Sequence, residues 1–239
     1  MGSEMCIRDR ADIAREKAGV IKADIPVVVG ETTPVTLPVF EAKARAQNAA
    51  LILVEQQQVP DFPIDLLGSY QEQNRRTAYT ALKTLLGQPV PKAAREGFAQ
   101  VALLTGLRAR WELVNTTPST VVEVTHNAEG FVQVVEQLKN VNAPKLHLVL
   151  GFVQGKNIEA ILTLLPREAK LYFCAPSIAR ARSVEEVAVV AQDLGHNYAV
   201  YSSPNEAFAA AKKCAAKEDF IYVGGSTFLA AEILSLRAL

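Results

Sequence analysis

The fold class is decided by residues 120–150, which read TVVEVTHNAEGFVQVVEQLKNVNAPKLHLVL. An apolar run at Thr120–Val124 is followed by helical spacing over Asn127–Leu138 and by a second apolar run at Leu146–Leu150. Two short apolar runs on either side of an amphipathic helix are typical of parallel strands joined by a crossover helix. This stretch therefore predicts an α/β fold with a mostly parallel sheet.

The same alternation continues toward the C-terminus. Because crossover connections are right-handed and helices must cover both faces of a parallel sheet, the pattern predicts a doubly wound, Rossmann-like domain. Further strands are predicted at Lys170–Cys174, Tyr198–Tyr201 and Phe220–Val223, with helices at Asn157–Leu165, Val184–Leu194, Asn205–Lys217 and Thr227–Leu236.

The chain before residues 104–107 carries a sparser α/β pattern. We therefore predict two domains, at 11–105 and 106–239. Residues 1–10, MGSEMCIRDR, have no apolar core and no periodic pattern, and we interpret them as a cloning or sequence-assembly artefact outside the fold. In the first domain, strands are predicted at Pro26–Gly30 and Ala50–Val54, and helices at Thr36–Asn48, Ser69–Leu86 and Pro91–Leu104.

The composition argues against several classes of partner. Lys and Arg together number 25, as do Asp and Glu, so there is no basic excess to attract nucleic acid. No apolar run approaches the roughly 20 residues that span a bilayer. Three cysteines lie at 6, 174 and 214 without metal-type spacing, which favours a reduced, cytoplasmic protein. We expect a monomer with no membrane partner.

Polar clusters follow three of the predicted strands, at 123–127, 151–156 and 224–226. Ligands of such sheets bind beyond the carboxyl ends of the strands, so a site is predicted at this edge. Residues 151–157, GFVQGKN, lack the glycine spacing and the Ser or Thr of a phosphate loop. We interpret them as a strand-to-helix turn with Gly155 near the helix start, in which Lys156 could reach a phosphate.

Residues 123–127, EVTHN, admit two interpretations. Asn127 could simply cap the following helix. Alternatively, the Glu123 carboxylate could accept the hydroxyls of a ribose, the helix N-terminus could attract an anion, and His126 could donate to it.

Three separate segments resemble one family. Residues 14–22 read AREKAGVIK, Arg110-Trp111 precede the EVTHN stretch, and residues 68–74 read GSYQEQN between them. In this order they resemble the folylpolyglutamate synthases with dihydrofolate synthase activity, which are ATP-dependent amide ligases of the Mur-ligase type. The resemblance covers everything after Arg10. It implies a Mur-type C-terminal domain preceded by an incomplete α/β central domain.

The resemblance also implies roles for individual residues. Lys17 would be carbamylated and become an oxygen ligand of Mg²⁺, a cation that prefers hard oxygen ligands. Lys17 and His126 would be the catalytic residues. Glu123 stands where the family has Asp, and Ala109 stands where it has Gly. The residues that would contact ATP or glutamate are Arg110, Glu123, His126, Asn127 and Ser226, of which Ser226 could equally be a plain helix cap.

The activity implied is the addition of L-glutamate to dihydropteroate or a folate through an acyl phosphate, with ATP and Mg²⁺ as cofactors. The family's phosphate loop is missing, so we interpret the chain as a C-terminal fragment that is inactive by itself. Two alternatives stay open: another Mur-type amino-acid ligase, and a non-catalytic Rossmann-like nucleotide-binding module. His147 and His196 are assigned to structure, and Ser69 to a helix cap.

Overall fold

The computed structural model describes residues 2–235, with side chains from residue 10 onward. The chain divides into two compact units. The first comprises residues up to 65 together with 70–104, and the second comprises 66–69 and the chain from 105 onward. The assignment of 11–105 and 106–239 to a ligase central domain and a C-terminal domain stays a prediction.

The first unit is a small α/β assembly built on a parallel pair of strands, β1 and β2. The predicted strands and the first predicted helix are found within a few residues of their expected bounds. A short 3₁₀ turn follows β2 at Val54–Gln56. The elements are α1 (Gly2–Ala18), β1 (Val27–Val29), α2 (Leu37–Ala46), β2 (Leu51–Leu53), α3 (Gln71–Leu86), α4 (Lys92–Phe98) and α5 (Val101–Thr105).

One expectation for the first unit is wrong and another stays a prediction. Residues 1–10 stay interpreted as an artefact, although α1 begins at Gly2; Met1 lies outside the described residues. The single helix expected at Pro91–Leu104 is two helices, α4 and α5. The Asp65 carboxylate accepts hydrogen bonds from the N–H groups of Val101 and Ala102, at 3.0 and 2.9 Å, and so caps the start of α5.

The second unit contains a six-stranded sheet of order β3-β4-β8-β5-β6-β7, in which only the β3–β4 pair is antiparallel. This confirms the predicted α/β fold with a mostly parallel sheet. The elements are β3 (Glu112–Thr116), β4 (Ser119–Val122), α6 (Ala128–Lys139), β5 (Leu146–Leu150), α7 (Ile158–Leu164), β6 (Lys170–Phe173), α8 (Val184–Asp193), β7 (Asn197–Val200), α9 (Pro204–Cys214), β8 (Phe220–Gly224) and α10 (Thr227–Ser235).

Strand β8 shows why this sheet is covered on both faces. Its side chains alternate, with Phe220 and Tyr222 in one apolar cluster and Ile221 and Val223 in the other. Helices α6, α7 and α8 contribute to the first cluster, and α9 and α10 to the second. Each fully buried large apolar side chain contributes roughly 1.5–3 kcal/mol, so burial of both faces explains the continuous apolar runs in the sequence.

Strand β3 was not predicted. Its residues, ELVNT, are half-buried or exposed at the edge of the sheet, so they lack the apolar run that identifies a central strand. The expectation that Ser69 caps α3 is also wrong. Helix α3 begins at Gln71 without a side-chain cap, and Ser69 instead donates from its N–H and hydroxyl to the Gln137 side-chain oxygen, at 2.9 and 3.1 Å.

Among residues 2–235, no helix has both the length and the apolar character that crossing a bilayer would require.

Candidate functional site

Three neighbouring strands end together at the carboxyl edge of the second unit's sheet. Backbone hydrogen bonds join Glu123 N to Val223 O (2.9 Å), Gly225 N to Thr125 O (3.0 Å) and Gly151 N to Gly224 O (3.2 Å). The polar clusters at 123–127, 151–156 and 224–226 therefore lie side by side, as the sequence predicts.

Gly225 makes this close approach possible. Its φ angle is +104°, in the region that favours glycine, and a Cβ there would lie 2.9 Å from the Gly151 carbonyl oxygen and 3.0 Å from the Phe152 ring. A larger residue would push the ends of β8 and β5 apart.

The turn at 108–112 adds a strained segment to the same edge. Ala109 and Trp111 have φ angles of +57° and +52°, which non-glycine residues seldom adopt. Two carboxylates hold the turn in place. Glu112 accepts from Arg108 Nε and from Ala109 N, both at 2.7 Å. Glu123 accepts from Trp111 N at 2.8 Å. Backbone strain of this kind persists only where surrounding contacts enforce it, and it often marks a functional segment.

The Trp111 ring anchors the turn in the core. It is buried, with ring centroids 6.2 Å from Phe220 and 5.9 Å from Tyr222. The turn is also tied to the end of β4 by a hydrogen bond from Val124 N to Ala109 O, at 3.1 Å. The position of residue 110 is thus fixed from both sides.

Arg110 lies between these two strained residues and is half-buried. Within the described part of the chain, its guanidinium group makes no hydrogen bond or ion pair, whereas Arg108 pairs with Glu112 at 2.6 Å. A guanidinium group offers five N–H donors in a planar arrangement that suits phosphate and carboxylate oxygens. Arg110 is therefore placed to bind an anion.

Glu123 is buried, so its predicted contact with ribose hydroxyls stays a prediction. Its side chain is only 1% exposed, and its carboxylate accepts the Trp111 N–H inside the protein. The predicted contact with ribose hydroxyls is not supported by this geometry, because the carboxylate already serves an internal hydrogen bond. The sequence gives no signal for this, since burial depends on the turn at 108–112.

His126 and Asn127 are both exposed at the start of α6. The Asn127 side-chain oxygen accepts from Gly130 N at 2.9 Å, so Asn127 is the helix cap that one interpretation predicts. The Nδ1 atom of His126 lies 3.2 Å from the Val124 carbonyl oxygen. That contact assigns the proton to Nδ1 in the neutral ring and leaves Nε2 as the acceptor.

Residues 151–157 form the predicted strand-to-helix turn. Gly155 has a φ angle of +78°, and the Asn157 side-chain oxygen caps α7 by accepting from Ala160 N at 3.0 Å. Lys156 is half-buried in this turn.

Residues 175–182 also reach this edge, and sequence reasoning missed them. Gln154 N donates to Arg180 O and Arg182 N donates to Phe152 O, both at 2.9 Å. Arg182 Nη1 also donates to Lys156 O at 3.2 Å. The two arginines lie in the loop that follows a buried strand, β6, which is the signal that could have identified them. Arg182 Nε also pairs with Glu186 at 3.0 Å, whereas Arg110, Arg180 and Lys156 have no carboxylate at ion-pair distance within residues 10–235.

Ser226 is buried, and its hydroxyl accepts from Leu229 N at 3.0 Å at the start of α10. This geometry is that of the plain helix cap, the alternative interpretation. It gives no support to a glutamate contact, because the hydroxyl is not exposed.

Lys17 lies in the last turn of α1, which ends at Ala18 as the Ala-Gly pair predicts. Its side chain is exposed and takes part in no hydrogen bond or ion pair within residues 10–235. The same residues contain no group of three or more His, Cys, Asp or Glu side chains that could hold a metal ion. The described residues therefore do not complete a Mg²⁺ site around Lys17.

Comparisons with known proteins agree with this architecture. Residues 109–227 match the family model for the Mur ligase, glutamate ligase domain. The folylpolyglutamate synthase of Lacticaseibacillus casei is 24% identical, over 92% of this chain and 56% of its own length. The dihydrofolate synthase/folylpolyglutamate synthase of Escherichia coli (strain K12) is 25% identical, over 95% of this chain and 56% of its own.

Solved structures show the same fold. The Mycobacterium tuberculosis folylpolyglutamate synthase complexed with ADP has a TM-score of 0.84 at 22% identity, over 95% of this chain and 59% of that one. A Yersinia pestis bifunctional folylpolyglutamate synthase/dihydrofolate synthase, complexed with AMPPNP and a Mn ion, has a TM-score of 0.81 at 23% identity. The match covers 96% of this chain and 57% of that one. The chain thus spans little more than half the length of these relatives.

Proposed function

We propose that this chain, which carries a Mur-type glutamate ligase domain and is a relative of the folylpolyglutamate and dihydrofolate synthases, takes part in an ATP-dependent amide ligation. In this reaction L-glutamate is added to dihydropteroate or a folate. The second unit would bind the nucleotide and the incoming glutamate at the carboxyl edge of its sheet.

The observation that carries this proposal is the position of Arg110. A strained turn, held by two carboxylates, fixes this arginine beside the end of β4, and its guanidinium group is left without a protein partner in the described residues. Because the backbone of Arg110 is fixed in advance, binding of an anion has to order only its side chain. The phosphates of ATP are anions of the kind that such a guanidinium group binds in bidentate fashion.

The start of α6 supports the same assignment. The N-terminus of a 12-residue helix carries partial positive charge and favours a nearby anion. His126 is exposed on this helix start, and because its Nδ1 donates to the Val124 carbonyl oxygen, the protonated ring could donate from Nε2 to a phosphate or to a glutamate carboxylate. Arg180 and Lys156 add positive charge along the same edge.

The chemistry would proceed in two steps. ATP would transfer its γ-phosphoryl group to the carboxylate of the pteroate or folate, which gives an acyl phosphate and ADP. The amino group of glutamate would then attack the acyl carbon, and the tetrahedral intermediate would expel phosphate to leave an amide. We assign to this chain the binding and orientation of nucleotide and glutamate, with Arg110 and His126 stabilising developing negative charge.

The sequence has no Gly-x-x-x-x-Gly-Lys-Ser/Thr phosphate loop. We therefore expect nucleotide binding, but no turnover, from this chain alone. Mg²⁺ as the divalent ion and a carbamate on Lys17 as its ligand stay predictions, because Lys17 is exposed and the described residues gather no further metal ligands around it. We also propose a cytoplasmic monomer without nucleic-acid or membrane partners, on the balanced charge and scattered cysteines of the sequence.

Titration of the chain with a fluorescent ATP analogue tests the proposal. Arg110→Ala should weaken binding about tenfold or more, since a charge-assisted hydrogen bond contributes about 1.5–3 kcal/mol. Arg167→Ala, which removes an exposed arginine before β6, is the matched control and should leave binding unchanged. Equal effects of the two substitutions would contradict the assignment of Arg110.

His126→Ala separates a ligase from a non-catalytic nucleotide module. We expect it to weaken binding of the analogue by a smaller factor than Arg110→Ala, and to reduce the effect of added L-glutamate on that binding. Indifference of the chain to L-glutamate, with and without His126, would favour a nucleotide-binding module that has no ligase role.

A further inference from the structure

The second unit holds a cavity of about 770 Å³ at the amino edge of its sheet, the edge opposite Arg110 and His126. Its walls are the first residues of β5, β6 and β7, the end of α6, and Cys214 at the end of α9. Nothing in the proposed ligase function uses this edge. The cavity lies entirely within one unit, so its shape is set by the packing of that unit alone.

The cavity wall is positively charged. Three lysines line it, Lys139, Lys145 and Lys170, against one acidic residue, Glu168. Lys139 pairs with Glu136 at 3.0 Å, but within residues 10–235 neither Lys145 nor Lys170 has a carboxylate at ion-pair distance. A concave surface with unpaired cations of one sign favours a small anionic molecule.

A buried chain of polar side chains lies behind this wall. Asp219 Oδ2 is 3.2 Å from His147 Nε2, and His147 Nδ1 is 2.8 Å from the Tyr172 hydroxyl. Burial opposes ionisation of Asp219, yet hydrogen bonds from Ala216 N and from His147 outweigh it and hold its pKa below the usual value. The carboxylate therefore accepts a hydrogen bond from the Nε2–H group, which leaves Nδ1 to accept a hydrogen bond from the Tyr172 hydroxyl.

Cys214 lies in the cavity wall beside this group of side chains. Its thiol is exposed, and Lys170 Nζ lies 3.7 Å from its sulfur. The ammonium group of Lys170 thus faces the nucleophilic atom. Burial raises the pKa of Tyr172 well above its usual value, so its hydroxyl stays protonated and donates to His147 Nδ1.

Cys174 provides an internal contrast. It is only 2% exposed, and burial, with a smaller effect of Glu232, raises its pKa to about 12. A thiol in such surroundings is inert at neutral pH, since the thiolate is the reactive form. We therefore expect the buried Cys174 thiol to be unreactive where the exposed Cys214 thiol reacts.

We propose that the amino-edge cavity binds small anionic disulfides and that Cys214 is modified there by thiol–disulfide exchange. The Cys214 thiolate attacks one sulfur of the bound disulfide, and a new S–S bond forms as the old one breaks. The electron pair of the broken bond leaves with the other sulfur as a thiolate, which takes up the proton released when Cys214 ionised. The disulfide is the oxidant and no other co-reactant is needed. This site is independent of the proposed ligase function.

The test compares two disulfide probes on the full chain at low ionic strength. Oxidised glutathione is anionic, and cystamine is cationic and otherwise similar in reactivity. Mass spectrometry of proteolytic peptides gives the rate at Cys214 and at Cys174 separately. We expect Cys214 to react about fivefold faster with oxidised glutathione than with cystamine, and the preference to fall as salt screens the lysines. Cys174 should react with neither on the same timescale.

Substitution of Lys170 tests the geometry. Lys170→Gln should reduce the rate at Cys214 with oxidised glutathione about fivefold. Lys213→Gln removes an exposed lysine that is adjacent to Cys214 in sequence but does not line the cavity, so it is the matched control and should leave that rate unchanged. Equal rates at Cys214 with both probes, or equal effects of the two substitutions, would overturn the proposal.

Discussion

Trp111 and Glu123 are joined by a hydrogen bond of 2.8 Å, from the backbone N–H of a residue with a φ angle of +52° to a carboxylate that is 1% exposed. This bond links the turn that carries Arg110 to the end of β4. It also gives Glu123, which the resemblance assigns to the ligand, a role inside the protein. On the proposed function, it also makes nucleotide binding and local stability depend on the same buried group.

Replacement of Glu123 by Gln is therefore expected to affect stability and binding together. The substitution removes the charge from the hydrogen bond to Trp111, which should lower the free energy of unfolding by about 1–3 kcal/mol. Because the turn holds Arg110, affinity for an ATP analogue should fall as well. Urea unfolding and nucleotide titration measure the two effects. Glu129→Gln, an exposed acidic residue of α6, is the control; a loss of stability without any loss of affinity would show that the turn does not position Arg110.

Gly225 and Gly155 form a matched pair that separates backbone strain from steric clash. Both have positive φ angles, but a Cβ at Gly225 would meet the Gly151 carbonyl oxygen at 2.9 Å, whereas a Cβ at Gly155 meets nothing within 4 Å. Gly155→Ala should lower the free energy of unfolding by about 1 kcal/mol. Gly225→Ala should lower it by about 2–4 kcal/mol. Thermal or urea unfolding of both variants gives the comparison, and equal losses would rule out the clash.

Asp65 should control the start of α5 in the first unit. Its carboxylate accepts from Val101 N and Ala102 N, and loss of such a cap costs about 0.5–2 kcal/mol. Asp65→Ala should accelerate hydrogen exchange at these two amides. Glu41→Ala, an exposed acidic residue of α2, should leave them unchanged. Unaltered protection in Asp65→Ala would mean that the helix start is held by other contacts.

His196 predicts a loss of stability on mild acidification. Burial, together with the charge of Arg167, lowers its pKa below the usual value, although a hydrogen bond to Leu162 O at 2.8 Å opposes the shift. The folded state thus disfavours protonation of His196. The contribution of neutral His196 to the free energy of unfolding is fully present above the unfolded pKa of about 6.5. It is lost as the pH falls through the lower pKa of the folded state.

The His196 contribution can be isolated by substitution. His196→Gln should flatten the dependence of urea-unfolding stability on pH between about 7 and 5. His126→Gln, which removes an exposed histidine, should leave the slope as it is. An unchanged slope in the His196 variant would show that other groups govern the acid response.

The parts of this molecule that could be predicted from sequence are those fixed by local chemistry. The alternation of buried strands and amphipathic helices predicts the sheet, because both faces of β8 are covered and its residues are apolar throughout. Asn127 and Asn157 act as helix caps through contacts three residues away. The end of α1 before Gly19 is likewise determined by residues adjacent in the sequence.

The parts that could not be predicted depend on contacts between distant segments. Glu123 is buried because the turn at 108–112 folds over it, and no pattern around 123 shows that. Arg180 and Arg182 reach the site because their loop pairs with residues 152–154. The break before α5 depends on Asp65, which lies more than thirty residues earlier in the chain.

Hydrogen–deuterium exchange of the full chain, with and without ADP, tests the central claim most directly. If the carboxyl edge of the second unit binds nucleotide through Arg110 and the start of α6, amides in 108–127 and 224–226 should gain protection, and Arg110→Ala should shift this gain to about tenfold higher ADP concentration. Protection confined to the amino edge of the sheet, or no protection at saturating ADP, would contradict the account.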